Sequence, residues 1–275
     1  MSAALEHDAD LYSNTAVSTT CPNLGSVDSM RMAAFERDGY VAIERAFSST
    51  RIQAAMQAVD DLIDGQCPDF RGLQYESGHG DKDELSRDER RRAVRKLMSF
   101  VDHDPRLHEL AFDHDLLALI SRLMGDAEPA LFQDMALLKP PGGREKPWHQ
   151  DMAYFDVPVQ TPVIGVWIAL EPATIENGAL RVISGSHKLG PQEHFKRRDW
   201  QICDTQIDRG NDMAVPLPAG GALIWHGLLQ HGSPGNHSDQ RRRALQYHYK
   251  PCATPEIPTD DRLAIYGGEV RGAQC

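Results

Sequence analysis

Two histidines and an aspartate, far apart in the chain, are the feature that most constrains its fold. His149 and Asp151 are separated by one residue, and His231 follows His149 after 82 residues. Imidazole nitrogens and a carboxylate oxygen are common ligands of a divalent metal ion. If these three side chains share one ion, the fold must bring the two segments together. Three protein ligands on one face of an ion leave its opposite face open.

The residues before His149 indicate how the first pair of ligands is presented. Residues 139–147 are rich in proline and glycine, and such a stretch predicts a loop because it cannot continue a strand ladder. We expect this loop to deliver His149 and Asp151 at the start of the next strand. Side chains at i and i+2 of a strand point to one side, so both reach one ion. Gln150 points the other way unless the strand bends.

The residues around His231 predict two neighbouring strands. A glycine turn leads into an apolar strand at 222–225, a Gly/Pro/Asn turn follows His231, and residues 241–249 predict a returning strand. Arg242 lies 11 residues after His231, so the returning strand brings it back beside the ion. Strand alternation sends it to the face opposite its two arginine neighbours. A guanidinium group there can bind a carboxylate through two parallel hydrogen bonds.

With these segments in view, the chain resembles the phytanoyl-CoA dioxygenase (PhyH) family of Fe(II)/2-oxoglutarate-dependent oxygenases. The resemblance covers roughly residues 29–250 and keeps the family's order and spacing. An amino-terminal segment, residues 35–41, fits the family's opening helix and strand. The segments that carry the resemblance are 148–151, 165–170, 176–180, 185–187, 231–233 and 242–244.

The resemblance implies three Fe(II) ligands, His149, Asp151 and His231. His226 is a competing candidate, five residues before His231. His231 is preferred because Gly-Ser follows it and because Arg242 lies at the family's distance from it. Related halogenases replace the aspartate with a small residue so that chloride can bind iron. Asp151 therefore favours hydroxylation or a related oxidation over chlorination.

The resemblance also implies a pocket for the co-substrate 2-oxoglutarate. Arg242 is expected to bind its distal carboxylate, with Ser233 assisting. Trp167, 18 residues after His149, matches the family's tryptophan that packs on the co-substrate. The other residues expected in or near the pocket are Gln150, Lys96, Gln133 and Met135.

These observations predict a dioxygenase that hydroxylates a C–H bond of a small molecule, using Fe(II), 2-oxoglutarate and O2 and releasing succinate and CO2. Ascorbate is expected to help in vitro. One alternative is desaturation, cyclisation or dealkylation by the same site in natural-product biosynthesis. A metal-dependent hydrolase or a non-catalytic metal or small-molecule binding module are alternatives of other classes, and the triad together with Arg242 argues against both. Residues 67–96 and 188–212 are candidates for substrate contact, and the family alone does not choose a substrate.

Composition limits the remaining possibilities. The 275 residues, 41% hydrophobic and 25% charged, predict one globular domain with a substantial core. A net charge of -11 argues against nucleic-acid binding. The sequence shows no apolar run of membrane-spanning length and no basic-then-apolar signal peptide. Five scattered cysteines without a CxxC pattern indicate neither zinc nor a disulfide framework. We expect a cytoplasmic monomer or homodimer that does not bind membranes.

The order of elements predicts an α+β chain in which amino-terminal helices flank a double-stranded β-helix core, the cupin-like jelly roll. Residues 1–27 are expected to form a flexible tail, and residues 28–275 a single Fe(II)/2-oxoglutarate dioxygenase domain. The expected elements are a capped helix from Asp28 to Gly39, a strand at 40–43, a helix at 49–63, a loop at 67–83, a charged helix at 85–97, one or two helices at 107–124, and short strands from Pro129 onward.

Overall fold

The computed structural model describes residues 9–76 and 85–268. Its strands are β1 (Thr20–Cys21), β2 (Tyr40–Ile43), β3 (Leu73–Tyr75), β4 (Val94–Met98), β5 (Pro129–Lys139), β6 (Lys146–His149), β7 (Ile164–Ala169), β8 (Leu180–Ile183), β9 (His194–Lys196), β10 (Trp200–Ile202), β11 (Asp212–Val215), β12 (Ala222–His226), β13 (His231–Ser233) and β14 (Arg242–Pro251). Its α-helices are α1 (Ser29–Asp38), α2 (Ser49–Ile63), α3 (Arg87–Ala93), α4 (Pro105–Ala111), α5 (His114–Leu123) and α6 (Thr259–Tyr266).

Two sheets form the centre of the fold. The larger has the strand order β1-β2-β12-β7-β14-β5-β4-β3, and the smaller has the order β11-β8-β13-β6. Apart from the parallel pair β1–β2, neighbouring strands are antiparallel. A buried cluster that includes Trp167 and Leu223 of the large sheet and Val182 of the small sheet joins them. This is the predicted jelly roll of an α+β chain.

The central strand β7 separates the helices from the interior of the barrel. Ile164, Val166 and Ile168 join the hydrophobic cluster that contains the buried faces of α2, α4 and α5. The alternate residues Trp167 and Ala169 belong to the cluster shared with the small sheet. Because strand side chains alternate, one face of the large sheet packs on helices and the other faces the barrel interior.

Several predicted helices are confirmed together with the residues at which they begin or end. Helix α1 begins after Asp28, whose side chain accepts a hydrogen bond from the Arg31 amide. It ends at Gly39, which has the left-handed φ of 83°. Helix α2 has the predicted bounds, and Asp113 caps α5.

The charged helix predicted at 85–97 is wrong in its second half. Helix α3 ends at Ala93, and β4 begins at Val94 and pairs with β5. Val94 and Leu97 are fully buried, so pairing with a distant strand overrides the helical preference of the charged run. The predicted loop at 67–83 also contains a strand, β3, on the edge of the sheet. Residues 77–83 of that loop lie outside the described residues.

The flexible tail predicted for residues 1–27 stays a prediction, but its described part, residues 9–27, packs against the rest of the chain. Leu11 is fully buried, and the Tyr12 ring stacks on Trp148 with centroids 5.7 Å apart. Tyr12 also donates a hydrogen bond of 2.9 Å to Glu145. Strand β1 then adds an edge to the large sheet. This segment covers apolar surface of the barrel, which stabilises its ordered position.

Within residues 9–76 and 85–268, no helix combines the length and the apolar character needed to cross a membrane. The single-domain assignment, the cytoplasmic location and the oligomeric state stay predictions.

Candidate active site

The three predicted metal ligands meet at one buried point between the sheets. Their ligand atoms all lie within 4.8 Å of one another. His149 ends β6 and His231 begins β13, and the two are direct cross-strand partners with ring centroids 4.2 Å apart. His226, the competing ligand, is outside this cluster; its Nδ1 accepts a hydrogen bond from the Leu228 amide.

Asp151 reaches the cluster by a slightly different path from the one expected. It begins a short 3-10 helix, Asp151–Tyr154, instead of continuing the strand. Gln150 between the ligands is extended, with φ of -115° and ψ of 134°. Because one extended residue separates them, His149 and Asp151 still point to the same side, as the i and i+2 argument requires.

Backbone carbonyls set the tautomer of both histidines. His149 Nδ1 lies 2.8 Å from the Pro147 carbonyl, and His231 Nδ1 lies 3.0 Å from the Leu229 carbonyl. A carbonyl oxygen only accepts, so each Nδ1 carries the proton and each Nε2 keeps a free lone pair. The Nε2 atoms lie 3.5 Å from the Asp151 carboxylate, His149 at Oδ1 and His231 at Oδ2.

The electrostatics of the cluster favour the protonation states that metal binding needs. Burial, followed by His231, lowers the pKa of His149 to about 3. Burial also lowers the pKa of His231. For Asp151, burial acts to raise the pKa, but His231 and His248 hold it well below its usual value. Neutral imidazoles and an ionised carboxylate are the forms that ligate a metal ion.

Arg242 lies on the interior face of β14, as strand alternation predicted. Its guanidinium carbon is 5.3 Å from the centroid of the Trp167 ring, and only 2% of the residue is exposed. Burial lowers its pKa to about 10. Its Nε and Nη1 atoms are buried without a hydrogen-bond partner. The neighbouring Arg243 faces the other way and pairs with Glu171, which confirms the predicted alternation.

A second buried cation, which the sequence analysis missed, stands beside Arg242. Lys139 is its cross-strand partner on β5. The Lys139 ammonium donates hydrogen bonds to Ser233 Oγ, at 2.8 Å, and to the Pro234 carbonyl, at 2.5 Å. Burial and the charge of Arg242 hold the pKa of Lys139 well below its usual value. The only sequence signal was its place at the start of the Pro/Gly loop.

The unpartnered atoms of Arg242 show that this region suits an anion. Buried donors without partners cost free energy unless a ligand satisfies them. Arg242, Ser233 and Lys139 therefore form a donor set that fits a carboxylate. The neutral histidines and the ionised Asp151 suit Fe(II), and this donor set suits a carboxylate, so the residues fit both Fe(II) and a 2-oxo dicarboxylate.

The other residues predicted for the pocket differ in their placement. Lys96 is paired in register with Leu137, Gln133 with His248, and Met135 with Gln246. Burial, followed by the charge of Lys146, lowers the pKa of Lys96. The roles of Lys96, Gln133 and Met135 stay predictions.

Gln150 is occupied by other partners. Its amide nitrogen donates to the carbonyls of Gly190 and Leu228, at 3.0 and 2.7 Å, and its oxygen accepts from the Gln192 amide at 2.8 Å. The side chain thus joins two loops to the end of β6. Its side-chain amide hydrogens are already used by these two carbonyls, and its predicted role beside the co-substrate stays a prediction.

The hairpin β9–β10 lies close to His149, one of the predicted metal ligands. Tyr154 stacks edge-on against His149, with centroids 5.9 Å apart, and donates to the carbonyl of Trp200 at 2.7 Å. Lys146 donates to Tyr154 at 3.1 Å and pairs with Asp199 at 2.6 Å. These contacts tie a segment predicted to contact substrate to the surroundings of His149.

Arg197 and Arg198, in the turn of that hairpin, form ion pairs with carboxylates of the protein. Arg198 is buried between Glu145 and Asp204, with 2.6 Å to Asp204. Arg197 lies 3.4 Å from the same aspartate. Both guanidinium groups are therefore already paired with carboxylates of the protein.

Comparison with known proteins agrees with this geometry. The model of the phytanoyl-CoA dioxygenase (PhyH) family matches residues 35–244. The chain is 34% identical over 178 residues to mouse phytanoyl-CoA dioxygenase domain-containing protein 1, covering 57% of this chain and 60% of the mouse protein. The match therefore spans about three fifths of that relative's length.

Solved structures share the fold at lower identity. EvdO2 from Micromonospora carbonacea var. aurantiaca, complexed with 2-oxoglutarate, aligns with a TM-score of 0.64 and 23% identity, covering 88% of this chain and 95% of EvdO2. The epimerase SnoN, in complex with Fe3+, alpha ketoglutarate and nogalamycin RO, aligns with a TM-score of 0.65 and 21% identity, covering 83% and 85%. These likenesses show the jelly-roll fold, while the family match spans well over half of the chain. The chain therefore belongs to the phytanoyl-CoA dioxygenase (PhyH) family of Fe(II)/2-oxoglutarate-dependent oxygenases.

Proposed function

We propose that the protein hydroxylates a C–H bond of a small molecule, consuming 2-oxoglutarate and O2 and releasing succinate and CO2. One observation carries the proposal: a buried His149, Asp151 and His231 cluster shares the barrel interior with a buried Arg242 whose guanidinium lacks partners. A metal-binding module needs only the first feature. An enzyme that binds a metal and a dicarboxylate together needs both.

The roles of the chain's own residues follow from their positions. His149, Asp151 and His231 would hold Fe(II), which when bound supplies the oxidation chemistry. Arg242, with Ser233 beside it, would bind the distal carboxylate of 2-oxoglutarate through charge-assisted hydrogen bonds.

The walls around these groups would keep water out. Trp167 is fully buried and forms the wall under the guanidinium of Arg242. Near the ligands, Phe155 packs edge-on against His248 with centroids 4.9 Å apart. A dry, preorganised pocket strengthens each electrostatic contact within it.

Asp151 bears on the outcome of the reaction. It supplies a carboxylate where a halogenating site needs room for chloride, so its presence supports oxidation of carbon without chlorination. The epimerase SnoN has the same fold, so a rearranging or dehydrogenating outcome is the second candidate.

The test is succinate formation by purified protein with Fe(II), ascorbate and 2-oxoglutarate under air, with a panel of candidate substrates. We expect iron-dependent succinate that one compound class increases. The mass of the product then separates the outcomes: a gain of one oxygen atom shows hydroxylation, a loss of two hydrogens shows desaturation or cyclisation, and a new product of unchanged mass shows epimerisation.

A binding measurement decides the case in which no substrate is found. Anaerobic addition of Fe(II) and 2-oxoglutarate should give a visible metal-to-ligand charge-transfer band. If neither the band nor succinate forms, the co-substrate assignment is wrong and the binding-module interpretation takes its place.

A further inference from the structure

One oxygen of the Asp151 carboxylate accepts two hydrogen bonds from groups other than the metal ligands. The Trp225 indole nitrogen donates to Oδ2 at 2.9 Å, and His248 Nε2 lies 2.9 Å from the same atom. Trp225 and His248 are almost completely buried. No such bond reaches Oδ1 from either residue.

Gly165 explains how both donors approach the same oxygen. It lies on β7 and is the cross-strand partner of Trp225 on β12 and of His248 on β14. A Cβ atom at Gly165 would lie 2.4 Å from Cε2 of the Trp225 ring, which is much closer than atoms can approach. The missing side chain thus gives the indole room over the middle strand.

The hydrogen bond also sets the tautomer of His248. An ionised carboxylate only accepts, so Nε2 of His248 must carry the proton. The other nitrogen, Nδ1, is buried without a hydrogen-bond partner, and the ring packs edge-on against Phe155 and Trp225, with centroids 4.9 and 6.0 Å away. The Nε2 bond to Asp151 is therefore the strong polar contact of this imidazole.

Trp225 touches a second metal ligand. Its ring centroid lies 5.2 Å from that of His231. The indole therefore supports one ligand by packing and another by a hydrogen bond. Partners of this kind orient ligands and tune the affinity of a metal site.

We propose that Trp225 and His248 are positioning residues that hold Asp151 by Oδ2, so that Oδ1 alone ligates the metal. This rests on the proposed function, because Fe(II) held here would have to leave room for both 2-oxoglutarate and O2. A carboxylate that bound the ion through both oxygens would take up some of that room. The donors on Oδ2 would oppose that arrangement and leave Oδ1 as the ligating oxygen.

The Trp225→Phe variant tests the role of the indole nitrogen, since it keeps an aromatic ring and removes the donor. Trp148→Phe is the matched control, because Trp148 is also fully buried and its indole nitrogen has no hydrogen-bond partner. Fe(II) is titrated anaerobically in the presence of 2-oxoglutarate, and the charge-transfer absorption is recorded. The Co(II) absorption spectrum of each variant gives a second readout of coordination.

We expect Trp225→Phe to weaken Fe(II) binding about tenfold, in line with the loss of an outer partner of a ligand, and to change the Co(II) spectrum. Trp148→Phe should retain the wild-type values. If the two variants behave alike, or if Trp225→Phe retains wild-type affinity and spectrum, the positioning role of Trp225 is overturned.

A pair of substitutions at His248 provides the second test. This test can still be made if the Trp225→Phe variant does not fold. His248→Gln keeps an N–H donor near the position of Nε2, whereas His248→Leu removes it. We expect Gln to retain most of the Fe(II) affinity and Leu to lose about tenfold or more. Equal affinity in both variants would overturn the role of His248.

The wild-type protein separates failure of this inference from failure of the proposed function. If wild type gives no charge-transfer band with Fe(II) and 2-oxoglutarate, the proposed function fails. If wild type gives the band and the variants match their controls, only the positioning roles of Trp225 and His248 fail.

Discussion

Lys139 and Arg242 lie directly opposite each other on the neighbouring strands β5 and β14, with both side chains buried. Like charges in opposed positions destabilise a sheet. Among the described residues, neither has a carboxylate within ion-pair distance. An anion bound between them would relieve the repulsion, so the pair is a structural reason to expect tight binding of a carboxylate.

Replacing Arg242 with alanine should mainly raise the 2-oxoglutarate concentration needed for half-maximal succinate formation. Loss of a buried charge-assisted contact costs about 2–5 kcal/mol, which corresponds to roughly 30-fold to a few thousand-fold. Arg243→Ala is the control because that side chain faces Glu171 on the other side of the strand. Normal 2-oxoglutarate saturation in Arg242→Ala would remove Arg242 from the proposed site.

Replacing Lys139 with methionine should weaken 2-oxoglutarate binding by roughly tenfold, as expected for loss of one hydrogen-bonded charge worth about 1.5 kcal/mol. The measurement is the rise in melting temperature that 2-oxoglutarate causes in the Fe(II)-loaded anaerobic protein, because a ligand stabilises the state that it binds. The rise should be smaller in Lys139→Met than in wild type at the same concentration. An unchanged rise would show that Lys139 serves the fold alone.

The metal-free protein should lose stability as the pH falls from about 6.5 to 4. Burial is the main cause that lowers the pKa of His194 and His226 to about 4 and of His149 to about 3. In the unfolded chain a histidine has a pKa of about 6.5. Between these values the unfolded state binds more protons, so the free energy of unfolding decreases on acidification.

Urea denaturation at pH 7.5, 6, 5 and 4.5 measures this dependence. His226→Gln should flatten it, by an amount on the order of 2 kcal/mol between pH 7.5 and 4.5. His114→Gln, at an exposed position, should leave the slope unchanged. Stability that is flat across this range in wild type would contradict the buried neutral state of these histidines.

Replacing Leu11 with alanine should lower the free energy of unfolding by about 2–4 kcal/mol, because the side chain is fully buried. Met30→Ala, at a position that is 69% exposed, should have little effect. Chemical denaturation of both variants tests whether residues 9–12 belong to the folded domain. Equal stability of Leu11→Ala and wild type would restore the interpretation as a loose tail.

Features with a local or strictly periodic signal could be predicted from the sequence. Helix α2 has a cap at Ser48 and apolar residues at helical spacing, and its bounds are as predicted. The inward position of Arg242 followed from strand alternation alone. His149 and His231 were singled out because their motif halves keep the spacing of a known family, and the structure brings them together with Asp151.

Features that depend on contacts between distant strands could not be predicted. Residues 94–98 have a charged and helix-favouring composition, yet they form β4 because β5 pairs with them. Lys139 lies opposite Arg242 on a neighbouring strand, and His248 contacts Asp151. Both contacts join residues that are far apart in the sequence. The hydrogen bond from Trp225 to Asp151 joins residues 74 positions apart, and no local sequence pattern indicates it.

The docking of Tyr12 on the barrel has a consequence for how the protein is made. Tyr12 is synthesised 133 residues before Glu145, to which it donates a hydrogen bond, and before Trp148, on which it stacks. Until that later segment emerges, the early segment has no surface to cover. The contacts that cover β6, the strand of His149, can therefore form only after β6 itself has been synthesised, and docking of the amino-terminal segment is a long-range step of folding.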